Sequence, residues 1–295
     1  MRVQKSKISL GTAKLGIEKY GFSSNKLPTN KKDFLEQAYL IGVRSIDTSP
    51  RYGDSERIIG ESLLSSKNKP LISSKIDNLK ANDPSSPKKM VKSVKQSINR
   101  MNISSLDICY LHQNELSIIS DPYIHEGLNT LKQMNLINYS GASIYSFDEL
   151  DYSVSCLLYD YIQAPINILD TSYYERILSH KTNIKIAARS IFLQGIIFNK
   201  DLIAQKIKNS IALQNELDNL ERLCNSFDIQ LNIACMAYVH SLDKINQIII
   251  GTASTKNLKA NFQSASYDLD KNLTKMIDDL ASQPKSWTNP RNWSG

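Results

Sequence analysis

Short runs of β-branched and apolar residues, closed by glycine, serine or aspartate, alternate along this chain with longer stretches whose apolar positions recur every three or four residues. The first pattern predicts strands and the second amphipathic helices. Eight strands are predicted: KISLGT (7–12), GVRSIDTS (42–49), PLISSK (70–75), LDICYLH (106–112), INYSGAS (137–143), YIQAPIN (161–167), IKIAAR (184–189) and INQIIIGT (245–252). Helices are predicted over 31–41, 55–64, 84–101, 124–134, 146–158, 210–227, 232–242 and 257–264. In one of these, Leu213, Leu217, Leu220 and Leu223 step by three or four, which places them on a single buried stripe.

A strand followed by a helix, repeated to the end of the chain, implies parallel strands joined by crossover connections. Eight such units in about 270 residues fit a (β/α)8 TIM barrel, a single α/β domain over 1–295. A doubly wound sheet is the alternative. It normally carries GxGxxG after an early strand, and the first strand here runs into GTAKLG instead. Residues 282–295, SQPKSWTNPRNWSG, break the rhythm and read as an irregular tail holding both tryptophans.

Composition narrows the partners. With 295 residues, 41% of them hydrophobic and 22% charged, the chain falls outside the disordered and collagen-like classes. Thirty-six basic against 29 acidic residues leave +7, a balance that suits phosphates and acidic small molecules. The lysines are scattered, and no zinc-finger, RNP or basic-zipper spacing accompanies them, so no nucleic-acid partner is expected. Cys109, Cys156, Cys224 and Cys235 lie far apart in apolar stretches, as reduced thiols do, and no metal site is expected. The N-terminus lacks an apolar signal core, and no apolar run approaches the roughly 18 residues that cross a bilayer. A soluble, cytoplasmic monomer or weak oligomer is the expectation.

In a barrel of this kind, polar residues at the carboxyl ends of strands face the active-site mouth. Strand two ends in Asp47, and the DTSPRYG loop places Tyr52 five residues on; strand three ends in Lys75 and strand four in His112. Each has an ordinary reading, as a turn-forming Asp, a solvated Lys or a structural His. Together they make a proton-transfer site. A phenol with a reference pKa near ~10 donates poorly unless a cation stabilises its phenolate. Lys75 would supply that charge, Asp47 would hold Lys75, and His112 would hydrogen-bond the substrate oxygen.

The run from Gly42 to Gly53, G-x-R-x-I-D-T-S-x-x-Y-G, with Lys75 and LDICYLH, resembles the aldo-keto reductase family over essentially the whole chain. The resemblance implies a catalytic tetrad of Asp47, Tyr52, Lys75 and His112, with Tyr52 as general acid and a nicotinamide cofactor, NADPH or alternatively NADH, delivering hydride to an aldehyde or ketone. It implies cofactor contacts from Gly11, Thr12 and Asp47, from Ser143 in GASIYS and from Gln163 in YIQAPIN. In that segment Ile144 stands where the family has Asn. AARSIFLQG puts Arg189 where an aromatic ring commonly stacks on the nicotinamide, and keeps Ser190, Gln194 and Gly195. At the last strand, Gly251, Thr252, Lys256 and Asn261 fall on the segment that binds the adenosine phosphate; Lys256 and Lys259 read equally as solvated helix residues.

Tyr20, Tyr52, His112, Tyr145, Trp287 and Trp293, with Arg291 beside the last two, are the candidates for the substrate pocket. Aromatic faces beside a cation would suit a sugar or a phosphorylated or carboxylated carbonyl compound. Two alternatives stand: the reverse reaction, an NAD(P)-dependent oxidation of a sugar or alcohol by the same residues, and a non-catalytic nucleotide sensor.

Overall fold

Alternation along each predicted strand sorts its side chains to two sides, and the computed structural model of the chain shows what each side meets. It describes residues 7–17, 30–65, 69–113, 115–200, 203, 207, 210–282 and 285. Eight strands, β1 (Ile8–Gly11), β2 (Ser45–Asp47), β3 (Leu71–Ile76), β4 (Leu106–Leu111), β5 (Ile137–Ser143), β6 (Tyr161–Pro165), β7 (Lys185–Arg189) and β8 (Ile245–Gly251), pair in parallel and in chain order. β8 closes on β1, so the sheet is a barrel with no free edge.

The outward set, including Ile8, Leu10, Ile46, Ile72, Leu111, Ile162, Ile248 and Ile250, joins the large core between barrel and helices. The inward set is different. Ile108, Tyr110, Tyr161 and Ala187 form a separate small cluster inside the barrel. At the foot, Ser9 donates to Ser45 at 3.1 Å and Gln247 donates to Ser45 at 3.1 Å, a buried polar layer. Such groups are tolerable in a core because they are hydrogen-bonded. At the carboxyl ends the register sets Gly11 beside both Asp47 and Gly251, Ser143 beside Gln163, and Pro165 beside Arg189.

The helices follow the predicted periods, and capping chemistry fixes their ends. Pro122–Gln133 begins two residues before the predicted start because Asp121 accepts from the amides of Tyr123 and Ile124. Phe147–Ser155 carries a capping box between Ser146 and Glu149. Its C-terminus falls short of the predicted 158, at a point where Cys156 is extended. The pattern reading places no helix between β6 and β7, whereas the structure has Ser172–Ser179 there; with eight residues, its buried Tyr173, Tyr174 and Ile177 are too few to show a period. Lys271–Ala281, capped by Asp270, was also not predicted, and it buries Leu273, Ile277 and Ala281 against the body. The predicted tail lies outside the described residues, Ser282 and Lys285 apart.

Among the described residues, all four cysteines are free, no helix is long and apolar enough to cross a membrane, and no His, Cys, Asp and Glu group could hold a metal ion.

Candidate active site

β2 ends at Asp47, and the loop that follows is held in place by its own hydroxyls. Thr12 donates to the Asp47 carbonyl at 3.1 Å, Ser55 donates to Thr12 at 2.7 Å, and Thr48 bonds Ser55 at 3.1 Å. Two turns carry Tyr52: its amide donates to the Ser49 carbonyl at 2.9 Å, and its carbonyl accepts from the Ser55 amide at 3.0 Å. Gly53 takes φ +51°, and a Cβ on Gly16 would lie 1.5 Å from the Tyr52 carbonyl oxygen. Glycine at 16 therefore lets the Ala13–Gly16 turn press against this loop.

Lys75, on the inward face of β3, donates to Asp47 Oδ2 at 2.6 Å and to the Thr48 carbonyl at 2.9 Å. Both charged residues are nearly inaccessible, at 3% and 4% exposure, so neither charge is hydrated and each depends on the other. The remaining Asp47 oxygen accepts from Ser73 at 3.3 Å and from Gln163 of β6 at 3.0 Å. Lys75 Nζ lies 5.3 Å from the centre of the Tyr52 ring.

His112 meets the Tyr52 ring edge-on, with 6.2 Å between centroids. Its Nδ1 lies 3.2 Å from the Ser49 hydroxyl and 3.7 Å from Asp77 Oδ2, and Asp77 is ion-paired with Arg51. Burial, assisted by the positive charges of Lys75, Arg51 and Arg189, pushes His112 down to about 3, so the ring is neutral at physiological pH. The Tyr52 phenol moves the other way. Burial and the Asp47 carboxylate, with Tyr145, raise its pKa above the ordinary tyrosine value, and Arg189 opposes them. The sequence suggests that Lys75 lowers this pKa; with Lys75 bonded to Asp47, the net shift is upward and the opposing cation is Arg189.

These groups share one cavity of about 890 Å³. Of the predicted cofactor residues, Gly11, Asp47, Ser143, Gln163, Arg189, Ser190, Gln194, Gly195, Gly251, Thr252 and Asn261 line it, as do Tyr52, Lys75, His112 and Tyr145. Thr12 and Lys256 do not. Thr12 is fully buried with its hydroxyl committed beneath the Tyr52 loop, and Lys256 is an exposed helix residue. Tyr20, Trp287, Arg291 and Trp293 lie outside the described residues.

Sequence reasoning missed Ser49, Arg51 and Asp77 around His112, and Glu221 and Asn232 at the wall. Arg51 and Asp77 were within reach of that reasoning, since they flank Tyr52 and Lys75 at the same strand ends. Glu221 sits mid-helix in Ser210–Ser226 and carries no local signal.

The arrangement can transfer a proton from a buried phenol to an oxygen that a neutral imidazole also contacts. For a nicotinamide dinucleotide the fit is favourable. Ser143 and Gln163 stand side by side in the cavity that Tyr52 lines, and Gly251 has open space where a Cβ would be. Thr255–Ala265 starts just beyond, capped by Ser254, and its amides favour phosphate.

Comparison with known proteins identifies the family. The family model described as "Aldo/keto reductase family" matches residues 7–282. D-arabinose 1-dehydrogenase of Saccharomyces cerevisiae is 32% identical over 126 residues, 40% of this chain and 37% of that protein. An uncharacterised oxidoreductase of Mycobacterium tuberculosis is 27% identical over 145 residues, 48% of this chain and 43% of the relative. The chain thus spans less than half the length of these curated relatives. An aldo-keto reductase of Bacillus halodurans, solved in its holo form, superposes with a TM-score of 0.72 at 20% identity, covering 92% of this chain and 98% of that one; this likeness is one of fold.

Proposed function

Since this chain belongs to the aldo/keto reductase family, we propose that it reduces an aldehyde or ketone with a nicotinamide dinucleotide, NADPH or NADH, using Tyr52 as the proton donor. The observation that carries the reading is the buried Lys75–Asp47 pair at 2.6 Å beneath Tyr52 and beside His112, at the head of a cavity large enough for a dinucleotide.

A bound reduced nicotinamide would supply the hydride. Ser143 and Gln163 would hold its carboxamide, and Gly251, Thr252 and Asn261, which also line the cavity, would border its phosphates. His112, neutral and protonated at Nε2, accepts a hydrogen bond from the Ser49 hydroxyl at Nδ1 and donates one from Nε2 to the substrate carbonyl oxygen. As negative charge develops there, Tyr52 delivers its proton. Burial keeps the phenol protonated until that moment, which a proton donor requires. The resulting phenolate faces the Lys75 ammonium, which Asp47 and the Thr48 carbonyl hold in place.

Tyr52→Phe tests this. It keeps the ring and removes the proton, so turnover of a carbonyl panel, followed at 340 nm, should fall by at least about a hundredfold. Nucleotide affinity should stay within about twofold. Unchanged turnover would remove Tyr52 from the role.

The similarity to a D-arabinose 1-dehydrogenase favours a second direction, in which the same residues run in reverse and Tyr52 as phenolate accepts the proton of a sugar hydroxyl. Rates with D-arabinose and NAD+ or NADP+, set against rates with aldehydes and the reduced nucleotides, separate the two.

A further inference from the structure

Two groups compete for Nδ1 of His112: the Ser49 hydroxyl at 3.2 Å, and the Asp77 carboxylate, whose Oδ2 lies 3.7 Å away. They favour opposite tautomers. A hydroxyl that donates to Nδ1 leaves the ring proton on Nε2, whereas a carboxylate can only accept and draws the proton to Nδ1.

The structure gives Nδ1 to the hydroxyl. Ser49 is fully buried, and its oxygen already accepts from the Arg51 amide at 3.2 Å. Its own proton needs an acceptor, and among the described residues the imidazole is the one within reach. Asp77 is meanwhile committed elsewhere. Its Oδ1 accepts from the Asn78 amide at 2.8 Å, and its Oδ2 is ion-paired with Arg51 Nε. Among the described residues it is the only carboxylate within ion-pair reach of His112, and its side chain is 5% exposed, so water does little to screen it. The charge is cancelled by Arg51. That side chain is itself 59% exposed and belongs to the residue just before Tyr52 on the cavity wall. With Asp77 so engaged, the remaining charges acting on the imidazole, those of Lys75 and Arg189, are positive, in keeping with its neutral state.

We propose that Arg51 is a positioning residue: its side chain engages Asp77, withholds that carboxylate from the imidazole and leaves Nδ1 to the Ser49 hydroxyl, so that the ring proton stays on Nε2 for the substrate oxygen. The use made of Nε2 rests on the reductase reading above; the tautomer does not.

Nitrogen-15 NMR of the protein labelled at histidine tests it, with the His112 signals identified by their loss in His112→Gln. The wild type should hold the Nε2–H form from about pH 5 to 8. In Arg51→Gln the freed carboxylate should draw the proton to Nδ1 at about pH 8 and let the ring take up a second proton as the pH falls toward about 5. Its kcat/KM at the upper pH should drop at least about tenfold. Arg51→Gln/Asp77→Asn should return the ring to Nε2–H and kcat/KM to within about threefold of the wild type, a rescue that a merely structural Arg51 would not show. Asp77→Asn alone, which strands no buried carboxylate and so does not depend on Arg51→Gln folding, should keep the Nε2–H form. A wild-type ring protonated at Nδ1, an Asp77→Asn ring that changes tautomer, or an Arg51→Gln ring identical to the wild type overturns the proposal. If the tautomers respond as expected in a protein that turns over no carbonyl compound, the positioning stands and the reductase reading falls.

Discussion

Gln163 on β6 donates to Asp47 on β2 at 3.0 Å, straight across the interior of the barrel. The two strands are not neighbours in the sheet, so this bond exists only because both side chains point inward at the same level. It ties the residue that neutralises Lys75 to one of those expected to hold the nicotinamide carboxamide. Gln163→Leu should therefore act on both. Loss of one hydrogen bond, about 1 kcal/mol, should weaken nucleotide binding roughly fivefold, and kcat should also fall. Titration of the nucleotide by fluorescence quenching, beside steady-state kcat, checks the pair; a variant that changes neither would disconnect Gln163 from the site.

Asp47→Asn keeps the shape of the carboxylate and removes its charge. Lys75, at 3% exposure, is then a buried ammonium with only neutral acceptors. The expected outcome is a loss of stability of about 3 kcal/mol, the cost of an uncompensated buried charge, and a fall in turnover of at least about a hundredfold. Urea unfolding and initial rates measure the two.

His112 governs the acid side. Its folded pKa, about 3, lies below the ordinary value of 6.5, so between these limits the unfolded chain binds a proton that the folded chain refuses. The neutral ring's contribution to stability is complete above about pH 6.5 and is lost as the pH falls toward 3. His112→Gln removes this penalty. Between pH 7 and pH 4.5 it should lose less stability than the wild type by roughly 2 kcal/mol. By the same shift, kcat/KM should show no acid limb near 6.5; a limb there that vanishes in His112→Gln would contradict a depressed His112.

Behind the site, Glu56 is 1% exposed and accepts from Ser74 at 2.7 Å and from Arg100 Nε at 2.7 Å. The Arg100 side chain is 41% exposed. The two partners are therefore unequal. Arg100→Met strands a buried carboxylate and should cost about 3 kcal/mol, while Glu56→Gln leaves an arginine that can turn to water and should cost about 1 kcal/mol. Denaturant midpoints should rank them in that order.

Gly16→Ala tests whether the Tyr52 loop must stay where the structure puts it. The new methyl would lie 1.5 Å from the Tyr52 carbonyl oxygen, so backbone must move on one side. Overpacking of this kind costs about 1–3 kcal/mol, and displacement of Tyr52, the proposed proton donor, should lower kcat at least about tenfold. Full activity would mean that the loop has room to give.

Much of this was legible in the chain. Each strand shows its two-residue alternation locally, as in KISLG, where Ile8 and Leu10 go to the core and Ser9 to the barrel foot. Asp47, Lys75 and His112 could be found because a strand's end is a local feature and the mouth of the barrel collects all such ends. The Ser172–Ser179 helix could not, being too short to establish a period.

What the sequence by itself determined is thus the order of strands and helices, and the residue types at each strand's carboxyl end. Those follow from spacing within a few residues. Only the tertiary structure decided that Gln163 reaches Asp47, that Thr12 braces a loop instead of lining the cavity, and that Arg189 rests on Tyr145 without a carboxylate beside it. The bond between Gln163 and Asp47 joins residues 116 apart, and its existence depends on how the closed barrel levels its strands against one another. Closure is a property of all eight strands together, and no stretch of the chain carries it alone.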